Sequence, residues 1–131
     1  MKIGYFDTKE FESKDGQPSP YGETVVHREL IVRLNAIRSR FKKPIIVNSG
    51  YRSPEHNKAV GGVKNSTHVQ GIAADIRPEC KNEKDFKEDL EALRKIADEL
   101  NPHGGVGFYN TFVHVDVRGE KSRWDNRTWP T

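Results

Sequence analysis

Three residues of this 131-residue chain have types and positions suited to holding a metal ion. His68 and Asp75 stand seven apart inside Asn48–Asp75, a stretch that opens NSGYRSPEHN and closes THVQGIAAD; His114 arrives much later, in FVHVDVRG at Phe112–Gly119. Neutral imidazole nitrogen and carboxylate oxygen are good Zn²⁺ donors, and three protein ligands leave a fourth position for water, as a hydrolytic centre needs. Taken alone, the residues leave a plainer reading equally open, in which the histidine caps or decorates a loop and the aspartate ends a strand. Against that reading, Asp75 follows the apolar run Ile72–Ala74, where a buried carboxylate needs a partner such as a metal.

Positioning such residues takes a scaffold, and the apolar spacing predicts one. Residues 1–20 read as an arm packed by Tyr5, Phe6 and Phe11 and broken by DGQPSP. From Glu23, the recurrence of Val26, Leu30, Leu34, Ile37 and Phe41 predicts an amphipathic helix that stops at Lys42, Lys43 and Pro44, with His27 a structural residue in it. Ile45–Val47 reads as a buried strand ended by Asn48–Gly50. Ser53 and Pro54 form the N-cap and first position of a short helix reaching about Val60. The flexible GGVKNST then delivers His68, and Ile72–Ile76 is the next strand. A second long helix starts at about Lys84 and carries Phe86, Leu90, Leu93, Ile96 and Leu100 on one face. Val106–Tyr109 and Thr111–Val117 read as an antiparallel hairpin around Asn110. In its second strand Val113, Val115 and Val117 face the core, and Phe112, His114 and Asp116 face the other way. The expected fold is α+β, a small mostly antiparallel sheet with packed helices, in one domain over residues 1–131. Residues 120–131 form a basic tail with Trp124 and Trp129, either a packed arm or a substrate-facing lip.

Composition narrows the function classes. A formal charge of +3 and a pI near 9.0 tolerate an anionic partner, but the basic and aromatic residues of the tail are too sparse for a nucleic-acid surface, so no nucleic-acid partner is expected. Cys80 is the single cysteine, which excludes an internal disulfide and a thiolate metal site. No basic-then-apolar leader opens the sequence and no apolar run has the length of a membrane span, so a monomer, cytoplasmic when synthesised and without a membrane partner, is expected.

SGYRSPEHN, then STHVQGIAADI, then GGVGFYNTFVHVDVRG resemble the zinc D-alanyl-D-alanine carboxypeptidase family of peptidoglycan peptidases, peptidase family M15, in its short single-domain type; the likeness runs from roughly Lys43 to Gly119. Hedgehog signalling domains share that fold and its three-ligand zinc arrangement. The resemblance implies a Zn²⁺ cofactor on His68, Asp75 and His114. It implies that Arg52, sixteen residues before His68, contacts a substrate carbonyl or carboxylate. Ser66 either hydrogen-bonds substrate or shapes the loop, while Tyr51, Glu55, His56 and Asn57 either line the cleft or are structural. One departure stands out. Many members carry an acid three residues before the last zinc histidine as general base, but here that position is Thr111, and Phe112 occupies the first place of the alternative His-x-His form. Asp116 and His103 are the remaining candidates for that role, Asp116 slightly ahead, and Asp116 equally reads as a group that orients a ligand histidine or Arg52. The implied function is a zinc-dependent peptidase for bonds involving D-amino acids in peptidoglycan peptides, carboxypeptidase or endopeptidase, acting at the cell wall after release in the manner of a prophage lysin. The missing acid supports an alternative, a non-catalytic zinc-binding recognition module of the hedgehog type. A third reading, a phage structural or nucleic-acid-binding protein, rests only on charge and tail.

Overall fold

The computed structural model describes residues 1–128. Helix α1 (Arg28–Phe41) buries Leu30, Ile31, Leu34, Ile37 and Phe41 along one stripe, as side chains three and four apart stack on successive turns. It begins later than the apolar spacing predicts. Gly22–Thr24 form a separate 3-10 turn and Val25 takes a positive φ of 65°, so Val26 reaches the core from outside the helix. His27 is the N-cap, its Nδ1 accepting from the Glu29 amide at 3.0 Å. At the other end Lys42 adopts the left-handed conformation, and Pro44 follows.

The main sheet consists of β3 (Ile45–Ser49), β4 (Ala73–Pro78), β5 (Gly105–Phe108), β6 (Val113–Asp116) and β7 (Ser122–Asp125), in the order β3-β4-β6-β5-β7. Every pairing is antiparallel except β5 with β7. Helix α3 (Glu83–Leu100), capped by the Asn82 side chain, packs Leu90, Leu93 and Ala97 toward α1 and the sheet. The sheet's inner face presents Val47, Ala74, Ile76, Val106, Val113 and Val115 to the same core. The short helix α2 (Pro54–Ala59) opens on Ser53, whose hydroxyl accepts from the His56 amide at 3.0 Å. The fold class is α+β, as expected. Residues 122–125 are a correction to the idea of a tail, because they add a strand to the sheet; Trp129 lies outside the described residues. Among the described residues no helix is long and apolar enough to cross a membrane.

The arm packs through Phe6 and Phe11, while Tyr5 stays outside beneath the Arg38 guanidinium, 4.3 Å from its ring centre. β1 (Lys2–Ile3) and β2 (Phe6–Asp7) pair as a separate two-stranded ribbon. Beyond them, the arm clamps the segment that follows β3. The Tyr51 amide donates to the Phe11 carbonyl at 2.8 Å, and a Cβ on Gly50 would lie 2.6 Å from the Phe11 backbone, so only glycine lets the two chains pass. The Ser53 amide donates to the Ser13 hydroxyl at 3.0 Å, and the Ser53 and Ser13 hydroxyls both donate to Asp15, at 2.5 and 2.7 Å. Those two bonds favour the charged form of Asp15 and lower its pKa to about 2. A carboxyl depressed below the ~3.9 of an unfolded aspartate contributes stability above about pH 4 and loses it as the pH falls through its folded value. The gap in melting temperature between wild type and Asp15→Asn is therefore expected to be widest near neutral pH and to close toward about pH 2; a gap independent of pH contradicts the assignment.

Candidate metal centre and cleft

Strand pairing builds the site row by row, on the sheet face away from the helices. Asp75 on β4 lies opposite His114 on β6, which lies opposite Gly107 on β5, which lies opposite Trp124 on β7. The neighbouring row on that face is Ala73, Asp116, Gly105 and Ser122. Both β5 positions need glycine. A Cβ on Gly107 would meet the Trp124 indole at 2.3 Å, and one on Gly105 would meet the Asp116 carboxylate at the same distance. The indole thus lies across β5 with its ring centre 5.0 Å from that of His114.

His68 comes from the loop between α2 and β4, held on three sides. Its amide donates to the Ser66 hydroxyl at 3.1 Å, its carbonyl accepts from the Arg52 amide at 3.1 Å, and its Nδ1 lies 2.8 Å from the Gly50 carbonyl. A carbonyl only accepts, so Nδ1 carries the proton and Nε2 is the free donor atom. That Nε2 faces Asp75 Oδ2 at 3.2 Å. His114 has the complementary arrangement, Nδ1 at 3.0 Å from Asp75 Oδ1 and Nε2 at 2.8 Å from Asp116 Oδ2. His68, Asp75 and His114 are all buried, and one ligand atom from each lies within 4.8 Å of the others. A neutral imidazole nitrogen facing a carboxylate at these distances sets lone pair against lone pair, so a proton or a cation belongs between them. With two imidazoles and one carboxylate, each outer ring nitrogen tied to a carbonyl or a carboxylate, the donor set fits a divalent transition metal such as zinc.

Charge is handled accordingly. Burial alone would raise the Asp75 pKa, but the facing His114 and His68 rings outweigh it and hold the carboxyl well below its ordinary range. Burial would likewise lower His114, yet its bonds to Asp116 and Asp75 raise it. Asp116 is fully buried, and its burial is again outweighed by His114 and Arg118, which keep it ionised. Its Oδ1 accepts from the Gly105 and Arg118 amides at 3.0 and 3.1 Å and from Arg118 Nε at 2.9 Å. Its Oδ2 accepts from Arg118 Nη2 at 2.8 Å.

The trio lies at the floor of an open cleft of about 670 Å³, walled by Arg52, Val63, Tyr109, Phe112, Arg118 and Trp124 among others. Arg52 is aimed by Ser49 Oγ at 3.3 Å and Asn57 Oδ1 at 3.2 Å, with Nη2 at 3.6 Å from Asp75. Ser66 lines the cleft, and its hydroxyl shapes the loop by accepting from His68. Tyr51 is buried core and Asn57 a buried brace for Arg52, whereas Glu55 and His56 do not line the cleft. His103 is exposed in the turn before β5 and is not brought to the cleft wall. Sequence reasoning gave no role to Arg118 or Tyr109. One more step of the alternation that joins His114 to Asp116 reaches Arg118, so that signal was present. Tyr109, whose hydroxyl accepts from Trp124 Nε1 at 2.9 Å, depends on the long-range docking of β7 and had no local signal.

Comparison with known proteins places relatives beside this geometry. The family model described as Peptidase M15 matches residues 5–116, which takes in the arm, the loop and the site strands β4 to β6. The zinc D-Ala-D-Ala carboxypeptidase of Streptomyces albus G is 49% identical over 45 residues, covering 34% of this chain and 18% of that relative's length. The chain thus matches less than a fifth of that protein. Among solved structures, the Serratia marcescens L-Ala D-Glu endopeptidase ChiX aligns with a TM-score of 0.48 and 21% identity, over 70% of this chain and 79% of the other.

Proposed function

The chain belongs to the peptidase M15 family, and on that premise we propose that it is a zinc-dependent peptidase cleaving bonds that involve D-amino acids in bacterial peptidoglycan peptides. The observation that carries the reading is the convergence of His68 Nε2, the Asp75 carboxylate and His114 Nδ1 at the floor of an open cleft, with both outer ring nitrogens held. Those three residues are the proposed ligands, and a bound Zn²⁺ supplies Lewis acidity toward a carbonyl and acidifies a water. Arg52, fixed by Ser49 and Asn57, is the proposed donor to the scissile carbonyl oxygen and carries the negative charge that develops on it.

Of the two parts open to Asp116, general base or partner that orients a ligand histidine, its surroundings favour the second. A carboxylate with no exposed surface and five donors on its oxygens is poorly placed to exchange protons with the cleft. It fixes the proton of His114 on Nε2 and so leaves Nδ1 free to coordinate, which makes it a positioning residue. Asp116→Asn is accordingly expected to weaken zinc binding about 10–100-fold in chelator competition. The acid limb of the pH–rate profile should stay in place; loss of that limb with unchanged zinc affinity would instead mark Asp116 as the base.

The function is tested by incubating zinc-loaded protein with peptidoglycan and muropeptides and following new amines by mass spectrometry. Wild type is expected to release them, Arg52→Ala to lower kcat about 10²–10³-fold, and His68→Ala to abolish turnover and weaken zinc binding. Zinc binding with peptidoglycan retention but no amine released would support the recognition-module reading, which Thr111 in place of an acid favours. Release by a prophage lysis route, with action at the cell wall, is the biological setting proposed for this chemistry.

A further inference from the structure

The cleft holds a second guanidinium that the reaction described above does not use. Arg118 is held flat by three contacts: Nε to Asp116 Oδ1 at 2.9 Å, Nη2 to Asp116 Oδ2 at 2.8 Å, and the Trp124 ring 5.3 Å away. Trp124 is in turn tied to Tyr109 at 2.9 Å. This leaves a fixed cation at the cleft wall, with its side chain 31% exposed.

A guanidinium has more than one hydrogen-bonding edge. The Nε–Nη2 edge of Arg118 is spent on Asp116, whereas Nη1 has no partner among the described residues. Together with the second Nη2 hydrogen it forms a second fork, of the width that matches a carboxylate. Because the first edge and the indole already hold the side chain, little further ordering opposes binding at the second. The cleft lining carries two guanidiniums, Arg52 and Arg118, and one carboxylate, Asp75, which faces the two histidines and lies 3.6 Å from Arg52 Nη2. Arg118 lines the cleft and is part exposed while its Nε–Nη2 edge is held by Asp116, so the Nη1–Nη2 edge is the one left for a ligand.

We propose that Arg118 is a specificity-determining residue whose Nη1–Nη2 edge binds a free carboxylate carried by the substrate peptide beside the scissile bond. The inference rests on the peptidase reading and names the chemistry of its substrate: acidic peptides are preferred over their amides. The carboxylate has two possible sources, the C-terminal group of a D-Ala-D-Ala end and the α-carboxylate of a D-Glu residue linked through its side chain.

Two matched probe pairs separate them: N-acetyl-D-Ala-D-Ala with its C-terminal amide, and N-acetyl-L-Ala-D-isoglutamate with N-acetyl-L-Ala-D-isoglutamine. Binding is measured by titration calorimetry on the full chain after chelator treatment, and hydrolysis on the zinc-loaded protein. Wild type is expected to favour the acid over the amide about 10–100-fold in one pair, which identifies the source. Arg118→Gln should bring that ratio close to one, and Arg118→Lys should restore only part of it, since an ammonium lacks the fork. Zinc affinity of each variant, read by chelator competition, reports whether the metal centre beneath Asp116 is intact. The proposal is overturned by wild type that prefers neither acid, a result independent of how any variant folds, or by an Arg118→Gln protein that keeps the wild-type preference. Acid preference in binding without turnover of any peptide would count against the peptidase reading and leave the carboxylate site standing.

Discussion

One carboxylate shared between two imidazoles is the constraint from which the rest of the structure follows. Asp75 is buried, and its two oxygens face His68 Nε2 at 3.2 Å and His114 Nδ1 at 3.0 Å. A carboxylate removed from water survives as an anion only where hydrogen bonds and opposite charge outweigh the loss of hydration. Here the compensation extends outward in layers: the histidines on Asp75, the Gly50 carbonyl and Asp116 behind the histidines, Arg118 and the Gly105 amide behind Asp116. Each layer fixes the direction of the one inside it, so the inner ring nitrogens end up aimed at a common point.

The scaffold is shaped to keep that arrangement. Two of the three converging residues stand on paired strands, where the register sets their separation, and the third is on a loop that would otherwise be free. The loop is tied to Gly50–Arg52, and that segment is in turn clamped by the N-terminal arm through Phe11, Ser13 and Asp15. An arm that looks peripheral in the chain therefore takes part in aiming His68 and Arg52. On the opposite side the glycines of β5 lower the floor so that Trp124 and Asp116 can lie across it.

Much of this was legible in the sequence, for identifiable reasons. The apolar spacing of Leu30–Phe41 and Leu90–Leu100 located both long helices, and the alternation of Val113, His114, Val115 and Asp116 separated core from site face. Boundaries failed where local backbone overrode periodicity: Val26 keeps the helical spacing, yet the positive φ at Val25 holds it outside α1. The trio His68, Asp75 and His114 was visible as candidate ligands from residue types together with the family resemblance, and the strands and loop bring the three together. What was hidden depended on pairings distant in sequence. Trp124 becomes a cleft wall only because β7 returns parallel to β5, and Asp116 is shown to be sealed only by the Gly105 amide and the Arg118 fork. Burial and saturation of a carboxylate are tertiary properties, and they separate a group that positions a histidine from one that exchanges protons with the cleft.

The central claim is that His68, Asp75 and His114 together form a zinc site with a position left over. X-ray absorption at the zinc edge on stoichiometrically loaded protein tests it most directly. The account predicts a four-coordinate shell of nitrogen and oxygen donors at about 2.0–2.2 Å, with outer-shell scattering from two imidazoles and no sulfur, and loss of one imidazole in His68→Ala. A sulfur contribution from Cys80, a six-coordinate oxygen shell, or a spectrum unchanged in His68→Ala would contradict it.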